Sequence, residues 1–353
     1  MIGRRMRGLS LIELMIAITL GMLVVAAVLA LFLNITRTNN EMARMNRQIE
    51  NGRFAIQLLQ SDLAHAGFWA EFVPQFDDRG ILAPGDTPTA VPDPCKTPDT
   101  WVAADRNNLI GLPVQNVAGG CGVVTNQKAG TDLIVVRHVE PNPGMANCPA
   151  DDVCFQVSSC ALEVDATPSQ SYVLGLGSAG HGLHKKNCVG TGSPQVLPIT
   201  AGDVSNVRRF ISNIYYVRND NTLMRSEYVN GAHQNAQPLV DGIEDFRVLY
   251  GIDNVGANGA PVNYAGAVNR GDGVPDEYRS CGAGGCSAFD LANVVAVRIA
   301  VLARSTEPSP GHSDTKVYRL GNDDVGPFND NIKRHVFTTT VRLTNPAGRR
   351  EAP

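Results

Sequence analysis

The sequence lacks the features that nucleic-acid binding and zinc or thiol-redox chemistry require. Aromatic residues make up only 6% of the 353 residues, and the formal net charge is −4. A nucleic-acid binder needs a basic surface and stacking platforms, so this class of partner is excluded. Cysteine is absent from the first 94 residues, and none of the eight cysteines forms a Cys-x-x-Cys pair. This spacing argues against zinc ribbons and thioredoxin-like motifs.

One stretch near the N-terminus lacks charge altogether. The twenty residues 14–33 contain no Asp, Glu, Lys or Arg, and at 1.5 Å per residue they form about 30 Å of helix, the thickness of a bilayer core. Arg4, Arg5 and Arg7 precede this stretch. Because arginines mark the cytoplasmic side of a span, we expect a cytoplasmic N-terminus, one inner-membrane helix and an exported head after about Asn34.

Glu13 is the single charged residue between these arginines and the span. A cleaved secretory signal usually has a shorter apolar region that ends in small residues, and a plain signal anchor has no use for a carboxylate at its edge. The string GLSLIELMIAITLG resembles instead the class III leader of type IV pilins and pseudopilins. The resemblance implies cleavage by a prepilin peptidase after Gly8, N-methylation of Leu9, and pairing of Glu13 with the free amine of a neighbouring subunit. Most members of the family have phenylalanine where this chain has Leu9.

The helical pattern continues beyond the span. Apolar and small residues recur there at steps of three and four, at Met42, Met45, Ile49, Gly52, Ile56, Leu59, Leu63 and Ala66. The spacing predicts one helix from about Leu11 to Ala66, about 80 Å long and ended by Gly67. We interpret the stripe as packing against the head rather than as a coiled-coil dimer, because only three to four heptads are available.

From Phe68 onward the sequence predicts short strands and loops. Candidate strands are Asp132–Val139, Val153–Val157, Ser171–Leu176, Val207–Val217, Ile243–Tyr250, Val294–Leu302 and Val336–Leu343. In the Val294 segment, valine and isoleucine alternate with Arg298, which is typical of a half-buried antiparallel strand. The predicted fold is α+β: a leader (1–8), a helix (9–66) that spans the membrane with its first half, and an antiparallel β-sheet head (67–353) covered by its second half.

Several later segments resemble PilW-type minor pilins. They are Asp241–Asp253, Asn293–Ser305, Lys333–Pro346 and, more weakly, Thr131–His138. The resemblance implies a minor pilin that primes assembly of a type IV pilus near its tip, with other minor pilins, the major pilin and a tip adhesin as partners. It also implies a head that is first periplasmic and later on the pilus surface. The stretches 72–126 and 140–202 match no family, and we expect them to be large insertions on the sheet.

Two other functions are also compatible with the sequence. A pseudopilin of a type II secretion system would share the leader and the helix, and a pilus-tip adhesin or binding module would use the unmatched insertions. An enzyme is disfavoured because no catalytic signature has its proper context. Gly175–Gly180 spells G-x-G-x-x-G, but the residues after it cannot open the helix of a βαβ unit.

The head contains all the cysteines, and an exported location favours disulfides. Eight cysteines allow 105 pairings, so only the local pair Cys281 with Cys286 is predicted. The pairing stays open for Cys95, Cys121, Cys148, Cys154, Cys160 and Cys188.

A second candidate site of the head is a calcium loop. Residues 269–277 crowd oxygen ligands around glycines, with Asp272 and Asp276 as candidate calcium ligands. PilW-like relatives often carry a denser acidic run here. A simple Asp-Gly turn explains the same residues without a metal.

Overall fold

The computed structural model describes residues 10–78, 80–116, 122–142, 144–167, 169–264, 269–282 and 285–351. These residues form an α+β fold dominated by one N-terminal helix. The helices are α1 (Leu11–His65), α2 (Ala103–Gly111), α3 (Ala161–Val164), α4 (Ala288–Ala292) and α5 (Thr344–Arg350). The strands are β1 (Val114–Gln115), β2 (Leu133–Val139), β3 (Val153–Val157), β4 (Tyr172–Leu176), β5 (Val189–Thr191), β6 (Val196–Ala201), β7 (Val207–Val217), β8 (Thr222–Val229), β9 (Ala232–His233), β10 (Gln237–Asp241), β11 (Ile243–Ile252), β12 (Glu277–Arg279), β13 (Val294–Arg304), β14 (Tyr318–Leu320), β15 (Asp323–Val325) and β16 (Arg334–Arg342).

The strands form two main antiparallel sheets. In the larger sheet, the long strand β7 pairs with β2 along one side and with β3 and then β8 along the other. The smaller sheet has the order β12-β11-β13-β16. The seven strands predicted from alternation all exist, and their bounds agree within two residues. The prediction did not separate them into two sheets, because alternation reveals which faces are buried but not which strands pair.

The second half of α1 packs on both sheets and closes the main core. Its buried residues are Gln48, Gly52, Ala55, Leu59 and Leu63. The predicted stripe is therefore wrong at its start, since Met42 is 60% and Met45 is 46% exposed. The helix turns its Glu41, Arg44 and Gln48 face towards the head there, so the two methionines lie beside the contact and not in it.

The alternation in β13 was misread in one respect. We expected a strand buried on one face, but Ala296, Ala300 and Leu302 are as buried as the valines of the other face. The connection between β13 and β16 supplies the reason: its hairpin of β14 and β15 folds back, and Leu320 packs against Ala300 and Leu302. Small side chains on the second face allow this cover to approach closely.

The two unmatched stretches are structural parts of the larger sheet. The first contributes α2 and β1, and the second contributes β3 and β4, which extend the sheet beyond β7. They share an aromatic-rich core in which Trp69, Trp101, Phe155 and Phe210 pack together.

The end of the chain is fastened to the first of these stretches. Arg350 in α5 is fully buried and donates to Asp77 Oδ1 at 3.1 Å and to Asn293 Oδ1 at 2.8 Å. Arg349 donates to the other Asp77 oxygen at 2.9 Å. A buried charge is tolerated only when it is paired and hydrogen-bonded in this way. The contacts therefore join the C-terminal helix to residues far away in sequence.

Candidate assembly site on the N-terminal helix

The first half of α1 projects from the head with its apolar surface uncovered. Every side chain from Ser10 to Asn40 is exposed. The window with the highest mean hydropathy is long enough to span a membrane, and none of it is buried. Apolar surface on this scale is stable only in a bilayer or against other protein surfaces. The segment is therefore a candidate membrane anchor.

Glu13 lies in the first turn of this exposed half. Its Oε2 accepts the backbone N–H of Ser10 at 2.9 Å, while the Ser10 hydroxyl caps the helix. This capping box satisfies two of the unpaired N–H groups at the helix start. Gly8 and Leu9, the predicted cleavage and methylation residues, lie outside the described residues. Glu13 therefore has a partner in its own chain at the start of the span.

A clasp of charged side chains holds α1 where it leaves the head. Glu41 accepts from Lys333 Nζ at 2.7 Å and from the Ser309 hydroxyl at 2.8 Å. Arg44 bonds to Glu41 at 2.9 Å and to Glu307 at 2.8 Å. The hydrogen bond from Lys333, helped by that from Ser309, lowers the pKa of the Glu41 carboxyl to about 2. The segment between β13 and β16 thus fixes where the helix leaves the head.

C-terminal to the clasp, polar side chains of α1 donate hydrogen bonds to the backbones of strands. Gln48 Nε2 donates to the carbonyl of Ala303 at 2.8 Å, and Asn51 Nδ2 donates to the carbonyl of Asp241 at 2.9 Å. Gly52 faces the ring of Phe337, and a Cβ there would lie 2.2 Å from a ring carbon. Glycine is required at this position because the helix approaches β16 so closely.

Asp62 joins the helix to the larger sheet. Its carboxylate accepts from His138 Nε2, Asn213 Nδ2 and the Tyr215 hydroxyl, each at 3.0 Å. Burial, with the charge of Asp62, holds the pKa of Tyr215 well above its ordinary value, so the hydroxyl remains a donor. A carboxylate with three donors from two strands fixes the rotation of the helix on the sheet.

Disulfides cross-link the head. The bonded pairs are Cys148 with Cys154, Cys160 with Cys188, and Cys281 with Cys286. The last is the pair predicted from its spacing. Cys95 is also disulfide-bonded, and Cys121 lies outside the described residues. Two of these bonds lie within the stretch 140–202, where loops outnumber strands. They restrict the conformations that the unfolded chain can adopt there.

The candidate calcium ligands are used by the loops themselves. Asp272 accepts the N–H of Val274 at 3.0 Å, and Asp276 Oδ2 accepts the N–H groups of Asn254 and Val255 at 2.7 and 2.8 Å. Calcium takes six to eight oxygen ligands, and no group of three acidic, histidine or cysteine side chains suited to a metal exists in the ranges that the structure describes. The observed bonds follow the Asp-Gly turn interpretation, and calcium binding stays an untested prediction.

Several of these helix contacts were missed in the sequence. The capping box was readable, because Ser10 and Glu13 have the Ser-x-x-Glu spacing that marks a helix start. The clasp was not, since Lys333 is 292 residues from Glu41. Asp62 gave only the signal of a carboxylate on an otherwise apolar helical face.

Comparison with known proteins agrees with this architecture. Residues 214–345 match the family model described as Type IV Pilus-assembly protein W, and residues 3–29 match the Prokaryotic N-terminal methylation motif. The first range covers β13 and β16, on which α1 packs, and the second covers the exposed start of α1 as far as residue 29.

Similarity to curated proteins and to solved structures is low. None of the curated proteins searched matches the chain significantly. Among solved structures, a type IV-like pilin from Thermus thermophilus is similar over 66% of this chain and 82% of its own, with 12% identity and a TM-score of 0.28. The two family models, together with a long apolar helix packed on antiparallel sheets, support the resemblance of this chain to PilW-type type IV minor pilins.

Proposed function

We propose that this protein takes part in priming the assembly of a type IV pilus and stays at or near the pilus tip. The leader is removed after Gly8, Leu9 becomes the methylated N-terminus, and α1 holds the subunit in the inner membrane with its head in the periplasm. The helix then moves from lipid into a bundle of pilin helices. Its partners are the prepilin peptidase, the other minor pilins, the major pilin and a tip adhesin.

The observation that carries this proposal is the complete exposure of residues 10–40 beside a tightly held second half of the same helix. Such a helix transfers its apolar surface from lipid to other helices without disturbing the head. Gly21 supports this role, because nothing lies within 4 Å of a Cβ added there. Small residues let membrane helices approach closely. A head of nearly 290 residues is difficult to repeat along a closely packed filament. This size favours a position at one end of the pilus.

Glu13 gives the sharpest test. Among the described residues its carboxylate accepts only the Ser10 N–H, and the methylated amine of a docked neighbour would replace that partial charge with a full one. Glu13→Gln should leave the protein in the membrane fraction but remove it from sheared pili, and pilus number should fall. Glu50→Gln, an exposed carboxylate on the same helix, is the control. Normal amounts of the Glu13→Gln chain in pili would contradict the proposal.

Adhesion is a second candidate function, favoured by a cleft between the two unmatched stretches. The cleft has a volume of about 670 Å³, and Phe72, Arg106, Asn107 and Tyr172 are among its lining residues. The Phe72 and Tyr172 rings, 4.8 Å apart, offer an apolar wall beside polar groups, as ligand sites do. Tyr172→Ala should weaken surface attachment of pili without changing their number. Unchanged attachment would remove this candidate.

A further inference from the structure

Strand β16 ends the smaller sheet with an unpaired side. In the part of the chain that the structure describes, β16 pairs with β13 only. The register between them runs without a bulge from Arg304 opposite Arg334 to Ala296 opposite Arg342. The second side of β16 is therefore a continuous row of backbone groups that face no strand.

The register identifies these groups. The N–H of Leu343 donates to Val295, and the N–H of Ser305 donates to Lys333, so the odd-numbered residues of β16 exchange hydrogen bonds with β13. In an antiparallel pair the bonded residues alternate with residues whose N–H and C=O point away. The outward groups therefore belong to Val336, Thr338 and Thr340, and among the described residues they make no backbone hydrogen bond.

The usual protection of an edge strand is missing here. Natural edges are blunted by charged residues, proline, bulges or short length. The opposite edge of the same sheet follows this rule, since β12 has three residues, two of them charged. Residues 335–341 of β16 (HVFTTTV) contain no Lys, Arg, Asp, Glu or Pro, and their threonines, valines and phenylalanine favour extended pairing. One edge of the sheet is protected in this way, and the other is not.

An apolar stripe of α1 runs beside this open edge. Gly52 faces Phe337 of β16, while Asn51 bonds to the opposite side, at Asp241. At 100° per residue, Met45 and Met42 lie about 20° and 80° from Gly52 around the helix axis, in the direction away from Asn51. Both methionines are therefore on the β16 side of the helix. They are 46% and 60% exposed. The stripe continues the apolar surface of the membrane half, so a neighbouring subunit that packs on that half also reaches the edge of β16.

We infer that β16 is the docking edge for a β-strand of a different pilin subunit, which adds to the smaller sheet while its own helix packs along Met42 and Met45. This inference rests on the proposed function. The backbone of Val336, Thr338 and Thr340 supplies the hydrogen bonds, as in other cases of strand addition. The uncharged edge calls for an equally uncharged partner strand.

A second copy of this chain does not fit as the partner. Two identical edges that pair antiparallel are related by a two-fold axis perpendicular to the sheet, and that axis reverses the direction of α1. Identical edges that pair in parallel would instead place the two α1 helices on opposite faces of the joined sheet, where they could not pack together. Both membrane halves must start in the same bilayer, so their helices must run in the same direction. Pairing of β16 with the far edge of another copy would use β12, which offers only three residues. The strand must come from a different chain.

Hydrogen exchange of individual backbone amides tests the inference. The full chain is purified in detergent micelles and mixed in turn with each purified pilin subunit of its own organism. In the free chain the amides of Val336, Thr338 and Thr340 should exchange quickly, whereas those of Phe337 and Thr339 are protected by β13. In the complex, exchange at the three outward amides should slow at least tenfold.

A proline variant supplies the second measurement. Thr338→Pro removes one outward N–H and spares the ladder to β13, because edge strands tolerate proline on their open side. It should weaken the complex roughly tenfold, whereas Thr338→Val, which keeps the N–H, should bind as the native chain does. If Thr338→Pro fails to fold, the exchange experiment on the native chain still tests whether β16 is the docking edge.

Each result has a distinct meaning. A complex in which the three amides exchange as fast as in the free chain would overturn the docking edge and leave helix-driven assembly intact. Failure of every subunit to bind would overturn both the edge and the proposed function. Protection that grows with the concentration of this chain alone would show self-pairing and overturn the choice of a different partner.

Discussion

The two halves of α1 belong to one continuous helix but lie in different surroundings. In residues 11–40 the apolar side chains are uncovered, with Leu23 66% exposed, whereas Leu59 and Leu63 in the second half are fully buried. Hydrophobicity alone does not distinguish these leucines. The difference comes from what covers them: the head covers the second half, and a membrane or neighbouring helices must cover the first. Substitutions should therefore act on head stability in one half and on assembly in the other.

The largest effect on the head should come from Leu59. Leu59→Ala removes a fully buried side chain beneath the sheets and should lower the free energy of unfolding of the head by about 3 kcal/mol. Leu23→Ala makes the same chemical change in the exposed half and should leave head stability unchanged. Denaturant unfolding in micelles, followed by head fluorescence, measures both. Equal losses from the two substitutions would erase the distinction between the halves.

Loss of the Asp62 carboxylate should destabilise the head almost as much as Leu59→Ala. Asp62→Ala leaves His138, Asn213 and Tyr215 without their common acceptor, and unsatisfied buried donors should destabilise the head by about 2 to 3 kcal/mol in total. Asp62→Asn keeps one acceptor oxygen and should cost less than the alanine variant. The same unfolding experiment ranks the two. A larger loss for asparagine would mean that shape, not hydrogen bonding, dominates at this position.

The two helical glycines give a matched pair with a smaller effect. Ala is about 1 kcal/mol better than Gly within a helix, and a Cβ at Gly21 meets no atom within 4 Å. At Gly52 the Cβ would meet the Phe337 ring, so Gly52→Ala should give a net loss of about 1 kcal/mol, because overpacking exceeds the propensity gain. Gly21→Ala should leave the head unchanged. Adding Phe337→Ala should reduce the harm of Gly52→Ala, and an additive double variant would contradict a direct clash.

Local periodicity predicted the elements well and their assembly poorly. The apolar run and the step of three and four residues gave α1 within one residue at its end, where Gly67 has a φ of +71°. Alternation found strands such as β7 and β13, because a buried strand repeats every two residues. The capping box at Ser10 and Glu13 was equally open to reading, since both partners lie within one helical turn.

Contacts between distant residues could not be read in this way. Met42 and Met45 continue the apolar spacing, but they do not pack on the head. The head ends where the segment that supplies Ser309 and Lys333 contacts α1. The second face of β13 is covered by a hairpin that no periodicity places there. The stretches 72–126 and 140–202 resembled no family in sequence, although they complete the larger sheet. The leader motif predicted Gly8, Leu9 and Glu13 as functional residues, and piliation experiments must test them.

The smallest effect should come from the clasp at the boundary between the halves. The pKa of Glu41 is lowered to about 2, below its ordinary value of about 4.3, so its contribution to stability is present above pH 4.3 and is lost as the pH falls towards 2. Because Glu41 is solvent-accessible, the effect should be a small fall in melting temperature that high salt also produces. Glu41→Gln should remove this acid dependence, and Glu50→Gln, whose side chain is exposed on the same helix, should retain it. Identical acid titrations of native and Glu41→Gln chains would show that the clasp does not hold the helix at the head.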